Sequence, residues 1–366
     1  MMSKQALRRT WFQVHKWIGL LLAILIIPIS FTGAVLVWHE ELEPVLDPAR
    51  YAVSGDALIA PDAYLRAARA VMTPGDRVAT LAMPEHGGPV VVSAAPAKAP
   101  ARPGPPQRTN IYLDPPTARV LDVAPSNGGL MRVFHVLHCS LLIPGVGRQI
   151  VGWIGVAMML SALTGIWLWW PAMGRWTRGF RWKRHPNTDT NLHYQFGFWI
   201  AVPLFMLSLT GAWISFPAFF GALTGEAGGG GAQRARQAAA RARPIEATTR
   251  SVDQVLAAAR GGEVRQIAWP TDKKPAWTVR LERGQLSVDD RTGAVTREAG
   301  PPQAGVARLM RRLHDGTGMG LVWRIVIFLG GMIPVLLGVT GVIMWWRSRG
   351  WRTKARARRP RVRAVA

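Results

Sequence analysis

Apolar residues gather in four long runs, at 17–38, 150–170, 196–216 and 322–346, and the only charge inside any of them is Arg324 near an edge. A helix needs roughly 20 residues to cross a hydrocarbon core, so each run predicts a transmembrane helix. Trp crowds the ends of these runs ("WLWWP", "MWWR"), as interfacial anchors do. Between the first and second runs, and again between the third and fourth, the pattern changes. "APDAYLRAARAVM" has a helical period and is followed by short alternating stretches, "RVATLAM", "PVVVSA" and "NIYLDPPTARVLDV". "SVDQVLAAARG" is followed in the same way by "EVRQIAWP", "AWTVRL" and "GQLSVDDRTGAVT". Each segment predicts one helix and about four strands. The Pro-rich "APAKAPARPGPP" predicts a long hairpin loop, and "GEAGGGGAQRARQAAARARP" a flexible linker.

The two halves of this pattern correspond residue by residue. His15 and His193 are each followed by a Gly four residues on (Gly19, Gly197) and by a Thr-Gly pair seventeen on (Thr32-Gly33, Thr210-Gly211). His138 and His314 are each followed by an Arg at ten (Arg148, Arg324), a Gly at seventeen (Gly155, Gly331) and a Thr-Gly at twenty-six (Thr164-Gly165, Thr340-Gly341). The turns "LDPPTARV" and "VDDRTGAV" align, with Asp114 answering Asp289. Internal repeats decide organisation. The expected fold is therefore an α-helical integral membrane protein with four transmembrane helices in two parallel span–module–span repeats, each carrying a small α+β module, related by a pseudo-twofold along the membrane normal. The expected boundaries are 1–39 for the N-terminus and first span, 40–130 for the first module, and 131–171 for a short helix and second span. A basic loop follows at 172–192, the third span at 193–217, the linker and second module at 218–305, a short helix and fourth span at 306–346, and a basic tail at 347–366.

Charge orients this arrangement. The chain has 366 residues, a formal net charge of +24 and 17 Trp. The basic residues concentrate in "SKQALRR", "GRWTRGFRWKRH" and "RSRGWRTKARARRPRVR" rather than on one face of a soluble domain, which argues for topology and against nucleic acid. Positive-inside bias places both termini and the middle loop in the cytoplasm and both modules outside. The first run is too long for a secretory signal and lacks a small-x-small site, so it is expected to be retained. The lone Cys139 excludes an intrachain disulfide and a CxxCH haem attachment.

Histidine is the candidate chemistry. Of eight histidines, His86 and His185 fall in loop contexts and are expected to be solvated. Six sit at membrane edges, where imidazole is costly and calls for a reason. Repeat symmetry pairs His15 with His193 at one edge and His138 with His314 at the other. His39 and His135 also lie at the second edge, but their counterparts are Pro217 and Arg311. Either could still join the outer site. Pairs of neutral imidazoles in a helical bundle suit haem b, which is held by axial ligands without covalent attachment. Arg148 and Arg324 are candidate partners for haem propionates. Zinc wants four ligands, and none cluster here. The Thr-Gly pairs are expected to be small-residue packing devices.

The stretches "VHKWIGLLLAILIIPISFTGAVLVW", "LHCSLL…GRQIVGWIGVAMMLSALTGIWLWWP", "NLHYQFGFWIAVPLFMLSLTGAWISFP" and "LHDGTGMGLVWR…LLGVTGVIMWW", with the "D-x-x-T" turns of the modules, resemble the PepSY-associated transmembrane proteins. That group includes iron-regulated membrane proteins and ferric-siderophore reductases of the bacterial inner membrane. The resemblance covers nearly the whole chain. It implies two PepSY-like periplasmic modules and a haem protein, expected to hold two haems b, that moves electrons from the cytoplasmic side to periplasmic ferric siderophore or another iron chelate. His15, His138, His193 and His314 fall on the family's recurrent histidine positions. Without a flavin or nicotinamide domain of its own, the chain would take electrons from a separate cytoplasmic donor or from quinol. Two other functions fit the same architecture. One is a non-redox scaffold whose modules bind or restrain a periplasmic peptidase or sensor. The other is a transporter, against which stands the near absence of charge inside the spans.

Overall fold

The computed structural model describes residues 3–84, 87–96, 107–170, 175–225, 242–259, 262–282, 284–298 and 305–357. His86, most of the Pro-rich stretch and most of the Gly/Ala/Arg-rich linker lie outside these residues. The described residues form two compact units, one of long helices (1–38, 133–224, 306–366) and one built on a sheet (39–132, 225–305).

Four helices of the first unit are long and apolar enough to cross a membrane: α1 (Lys4–Leu36), α5 (Gly147–Trp169), α6 (Thr188–Ser215) and α10 (Gly320–Ala357). Three of them exceed the runs that predict them. Hydropathy marks the apolar slab, whereas helix propensity continues into the Lys-, Arg- and Gln-rich flanks. Residues 347–357, expected as a tail, are therefore an extension of α10. Pro28, Pro203 and Pro334 sit inside helices. An apolar surround offers the freed backbone groups no alternative structure, so such helices persist. The helices close a ring in which α1 packs on α5 and α10, and α6 packs on the same two. Glycines set the close crossings. A Cβ on Gly155 of α5 would lie 3.1 Å from the Ser208 carbonyl oxygen of α6, and one on Gly331 of α10 would lie 2.6 Å from that of Ser30 of α1.

Two short helices precede two of the spans, α4 (Leu130–Ser140) before α5 and α9 (Val306–Asp315) before α10. The reversal after α4 is tight. Leu141 and Leu142 both take left-handed backbone (φ 53° and 59°) before Pro144 and Gly145, at roughly 1–2 kcal/mol per residue. After α9 the same reversal is made by Gly316, Gly318 and Gly320, all at positive φ, where glycine adds no such cost. Two further short helices, α2 (His39–Leu46) and α7 (Pro217–Leu223), follow α1 and α6 directly.

In the second unit, α3 (Pro61–Val71) is followed by strands β1 (Arg77–Ala82), β2 (Val90–Ala95), β3 (Thr109–Leu113) and β4 (Val120–Pro125). Helix α8 (Val252–Ala258) is followed by β5 (Val264–Ala268), β6 (Ala276–Leu281), β7 (Gln285–Asp289) and β8 (Val295–Glu298). The sequence predicts two separate modules. The structure instead joins them into one antiparallel sheet of eight strands, in the order β4-β3-β2-β1-β5-β6-β7-β8. The seam pairs Leu81 with Ile267, Thr80 with Ala268 and Ala82 with Gln266. A lone four-stranded sheet would leave the edge of β1 open, and each half here covers the other's edge. Tyr64 and Leu65 of α3 and Val255 of α8 share one buried core with Leu81, Ile267 and Trp277 from the sheet.

A buried carboxylate anchors the chain entering each half. Asp114 accepts hydrogen bonds from the amide and hydroxyl of Ser54, both at 2.7 Å, and from the Thr117 hydroxyl. In the second half the turns align as predicted, because Thr292 also bonds Asp289. The anchoring role, however, has moved one residue on. Buried Asp290 accepts from Thr249 N at 2.9 Å, Arg250 N at 3.2 Å and Trp277 Nε1 at 2.8 Å. Burial pushes this carboxyl up, but hydrogen bonds led by Thr249 and Trp277 outweigh it and hold Asp290 below the usual carboxylate range. Its folded pKa is depressed, so its stabilisation is complete above the ordinary aspartate value of about 4 and drains away as pH falls below it. Asp290→Ala is expected to cost about 3 kcal/mol by leaving buried donors unpaired. Hydrogen-exchange protection of the Thr249 and Arg250 amides in the full chain, corrected for intrinsic pH dependence, checks both statements. Protection that is unchanged in the variant would refute them.

Candidate functional site

Four histidines lie among the long helices in two pairs. The rings of His15 (α1) and His193 (α6) have centroids 6.3 Å apart, with planes at 86°. Those of His138 (α4) and His314 (α9) have centroids 6.0 Å apart, with planes at 40°. The second pair reaches α1 at Ile29 and α6 at Leu207. Both positions lie fourteen residues beyond the first pair on the same helices, and at 1.5 Å rise the two levels are about 20 Å apart.

Each imidazole is held through Nδ1 by a neighbouring span. His15 Nδ1 lies 3.1 Å from the Ser161 carbonyl oxygen and 3.0 Å from Thr164 Oγ1 on α5. His193 Nδ1 lies 3.0 Å from Thr340 Oγ1 on α10. His314 Nδ1 lies 3.1 Å from the Leu207 carbonyl and 3.0 Å from Thr210 Oγ1 on α6. His138 Nδ1 donates to the Ile29 carbonyl on α1 at 2.9 Å. Among the described residues, no hydrogen bond engages Nε2 of any of the four.

The glycine of each Thr-Gly pair supplies the space. A Cβ on Gly33 would stand 2.6 Å from His138 Cε1, on Gly211 3.0 Å from His314 Cε1, on Gly165 3.3 Å from His15 Cε1, and on Gly341 3.6 Å from His193 Cε1. The Thr-Gly pairs are therefore more than the helix-packing devices expected of them. They are notches in which a histidine from another segment lies. Their recurrence at fixed offsets was the visible signal, but nothing local says which histidine meets which notch. Gly155 and Gly331 serve helix crossings, as above. Gly19, one turn from His15, has no atom within 4 Å of a Cβ built on it, and Gly197 has only Leu337 at 3.9 Å.

His135 is exposed on α4, with Nε2 3.6 Å from Cys139 Sγ. His39 is exposed at the start of α2 and belongs to the sheet-based unit. His135 sits three residues before His138 on the same helix. Arg148 donates to the Ile214 carbonyl at the end of α6. Arg324 donates to the Val37 carbonyl just past α1 at 2.7 Å and lies over the Trp38 ring at 4.5 Å. Expected as propionate partners, both thus cap helix C-termini, where cations are favoured. His185, expected to be solvated, is half-buried and stacked on Tyr194.

Two nitrogen donors per level is a meaningful count. Among the described residues, no group of three or more His, Cys, Asp or Glu side chains could hold a metal ion. A closed zinc site needs four such ligands. A porphyrin brings its own four nitrogens and asks the protein for the axial positions alone. A metal takes imidazole nitrogen at about 2 Å, and that nitrogen lies about 1 Å from its ring centre, so two rings across one ion have centroids about 6 Å apart. Both pairs meet this spacing. The residues present fit haem.

Compared with known proteins, the chain matches the family model of the PepSY-associated TM region over residues 12–348. No curated protein matches it.

Proposed function

We propose that this chain, which belongs to the PepSY-associated transmembrane family, is a membrane electron carrier with a haem b site at each of two levels. The observation that carries the reading is the pair of facing imidazoles at 6.3 Å and again at 6.0 Å, each with Nδ1 tied to a helix. Haem bound there would supply one-electron exchange. The chain's own residues do the rest. His15 with His193, and His138 with His314, would hold the haem iron through their Nε2 lone pairs. The apolar helices exclude water and set a low dielectric. Arg148 and Arg324, at the ends of the spans beyond the His138–His314 pair, are the cations that would be available to haem propionates.

Gene duplication gives this arrangement its economy. Equivalent residues meet each other in both histidine pairs, and Leu81 pairs with its own equivalent, Ile267, at the sheet seam. Within each unit, contact between equivalent residues is what duplication of a span–module–span segment would produce. With the basic segments on the cytoplasmic side, the His15–His193 level faces the cytoplasm, and the sheet-based unit lies in the periplasm of a bacterial inner membrane. Electrons would enter from a separate cytoplasmic donor or quinol. They would leave to a periplasmic ferric chelate, with a ferric siderophore as the acceptor class that the family suggests.

An absorption spectrum of detergent-purified protein from haem-replete cells tests this. The expected result is a Soret band, a sharp α band on dithionite reduction, and two haems per chain by pyridine haemochrome. Colourless protein would overturn the proposal.

A further inference from the structure

Resting on the haem reading, we propose that the Thr-Gly notches are positioning devices. They fix the tautomer and the rotation of each imidazole, and they do so differently at the two levels, making the two sites unequal.

The tautomer follows from what each partner has to offer. A carbonyl oxygen only accepts, so the Ser161, Leu207 and Ile29 carbonyls require a proton on Nδ1 of His15, His314 and His138. At His193 the partner is the Thr340 hydroxyl, whose single proton is already directed to the Leu336 carbonyl at 2.8 Å. It too is left to accept. Thr164 and Thr210 back-bond in the same way, to the Leu160 carbonyl at 2.8 Å and the Met206 carbonyl at 2.9 Å. With the proton on Nδ1, Nε2 carries a bare lone pair, the form in which imidazole ligates. A hydrogen bond to the other ring nitrogen is what orients a metal-binding histidine, and here transmembrane backbone and hydroxyl groups supply it instead of a carboxylate.

Rotation is fixed by the second contact. With Nδ1 held at one side and Cε1 seated against a glycine, the ring plane has little freedom. The planes stand at 86° for His15–His193 but at 40° for His138–His314. The relative angle of two axial imidazoles governs the splitting of the iron d orbitals. Near-perpendicular planes give a highly anisotropic low-spin ferric signal, and planes closer to parallel give a rhombic one. One notch also differs in chemistry. The Thr32 hydroxyl bonds the Pro28 carbonyl at 2.7 Å and the Ile29 carbonyl at 3.1 Å, and His138 uses the Ile29 carbonyl alone. Thr32 thus serves as an internal control for the other three threonines.

Electron paramagnetic resonance of the oxidised, detergent-purified full chain tests the assignment. The wild type is expected to show two low-spin species, one highly anisotropic and one more rhombic. Thr164→Val and Thr340→Val should change the anisotropic species alone and weaken haem retention at that level about 10- to 100-fold. Thr164→Ser should restore both. Thr210→Val should alter only the rhombic species, and Thr32→Val neither. A single class of signal in the wild type, or valine variants with unshifted signals, would overturn the positioning role. So would a Thr32→Val effect equal to that of Thr210→Val. A second measurement needs no haem: 15N shifts of labelled histidine in the haem-depleted wild type should show Nδ1–H tautomers for these four. Protonated Nε2 there sinks the notch assignment while leaving the haem reading standing. A wild type that never takes up haem sinks both.

Discussion

His193→Ala is expected to purify with one haem per chain in place of two, and His15→Ala should lose the same haem. The reason is geometric. The two ring centroids stand 6.3 Å apart, so on the proposed haem reading either substitution removes one of the two histidines that would hold the same haem. Losing a direct ligand should cost more than the 10- to 100-fold typical of an outer-shell partner. The double variant should therefore look like either single one, the non-additivity expected of groups that act as a unit. His138→Ala and His314→Ala should remove the other haem, with the same equivalence. His39→Ala and His135→Ala should retain both, because both side chains are exposed and symmetry gives neither a histidine twin. Pyridine haemochrome per mole of protein, with spectra of the haem that remains, decides the matter. If His15→Ala and His138→Ala depleted the same haem, the pairing would be wrong.

Gly33→Ala is expected to have the largest effect among alanine substitutions at the four notch glycines. The new methyl would stand 2.6 Å from His138 Cε1 and 2.9 Å from its Nδ1, inside any real contact distance. The ring is held to the Ile29 carbonyl by the very atom that must retreat. Overpacking costs about 1–3 kcal/mol and the lost hydrogen bond about 1 kcal/mol more, so haem at the His138–His314 level should fall away and the bundle should loosen. The other notches grade the prediction. The corresponding approach is 3.0 Å at Gly211, 3.3 Å at Gly165 and 3.6 Å at Gly341, and the last is ordinary van der Waals contact. Alanine should therefore be worst at Gly33, intermediate at Gly211 and Gly165, and close to wild type at Gly341. Haem occupancy at each level and thermal unfolding in detergent measure the series. Equal damage at Gly33 and Gly341 would mean that the notches do not act through the imidazoles.

Much of this arrangement is legible in one dimension. The four apolar runs mark spans because a lipid slab selects for length and hydropathy, both of which are local properties. The change to period two in the intervening segments marks strands for an equally local reason. Equal offsets among His15, His193, His138, His314 and their Thr-Gly pairs expose equivalence without any coordinates. The roles of Arg148 and Arg324 are not legible in the same way. Both donate to carbonyls at the ends of other helices, contacts that no offset along the chain announces. Nor does the "D-x-x-T" alignment reveal that Asp290, and not Asp289, takes the buried anchoring position of Asp114. One residue's shift on a strand turns a side chain to the opposite face.

Hydropathy, period and repeat offset by themselves determine that this chain makes four membrane spans and two helix-and-strand segments, and which histidines are twins. Those quantities reflect how each stretch of chain meets its solvent. Tertiary structure alone decides that the two strand segments share one sheet through Leu81 and Ile267, and that twin histidines face one another. It also decides that each of the four lies in the Thr-Gly notch of a different segment. These contacts depend on which helix crosses which, and at what height, and packing sets that between residues more than a hundred positions apart.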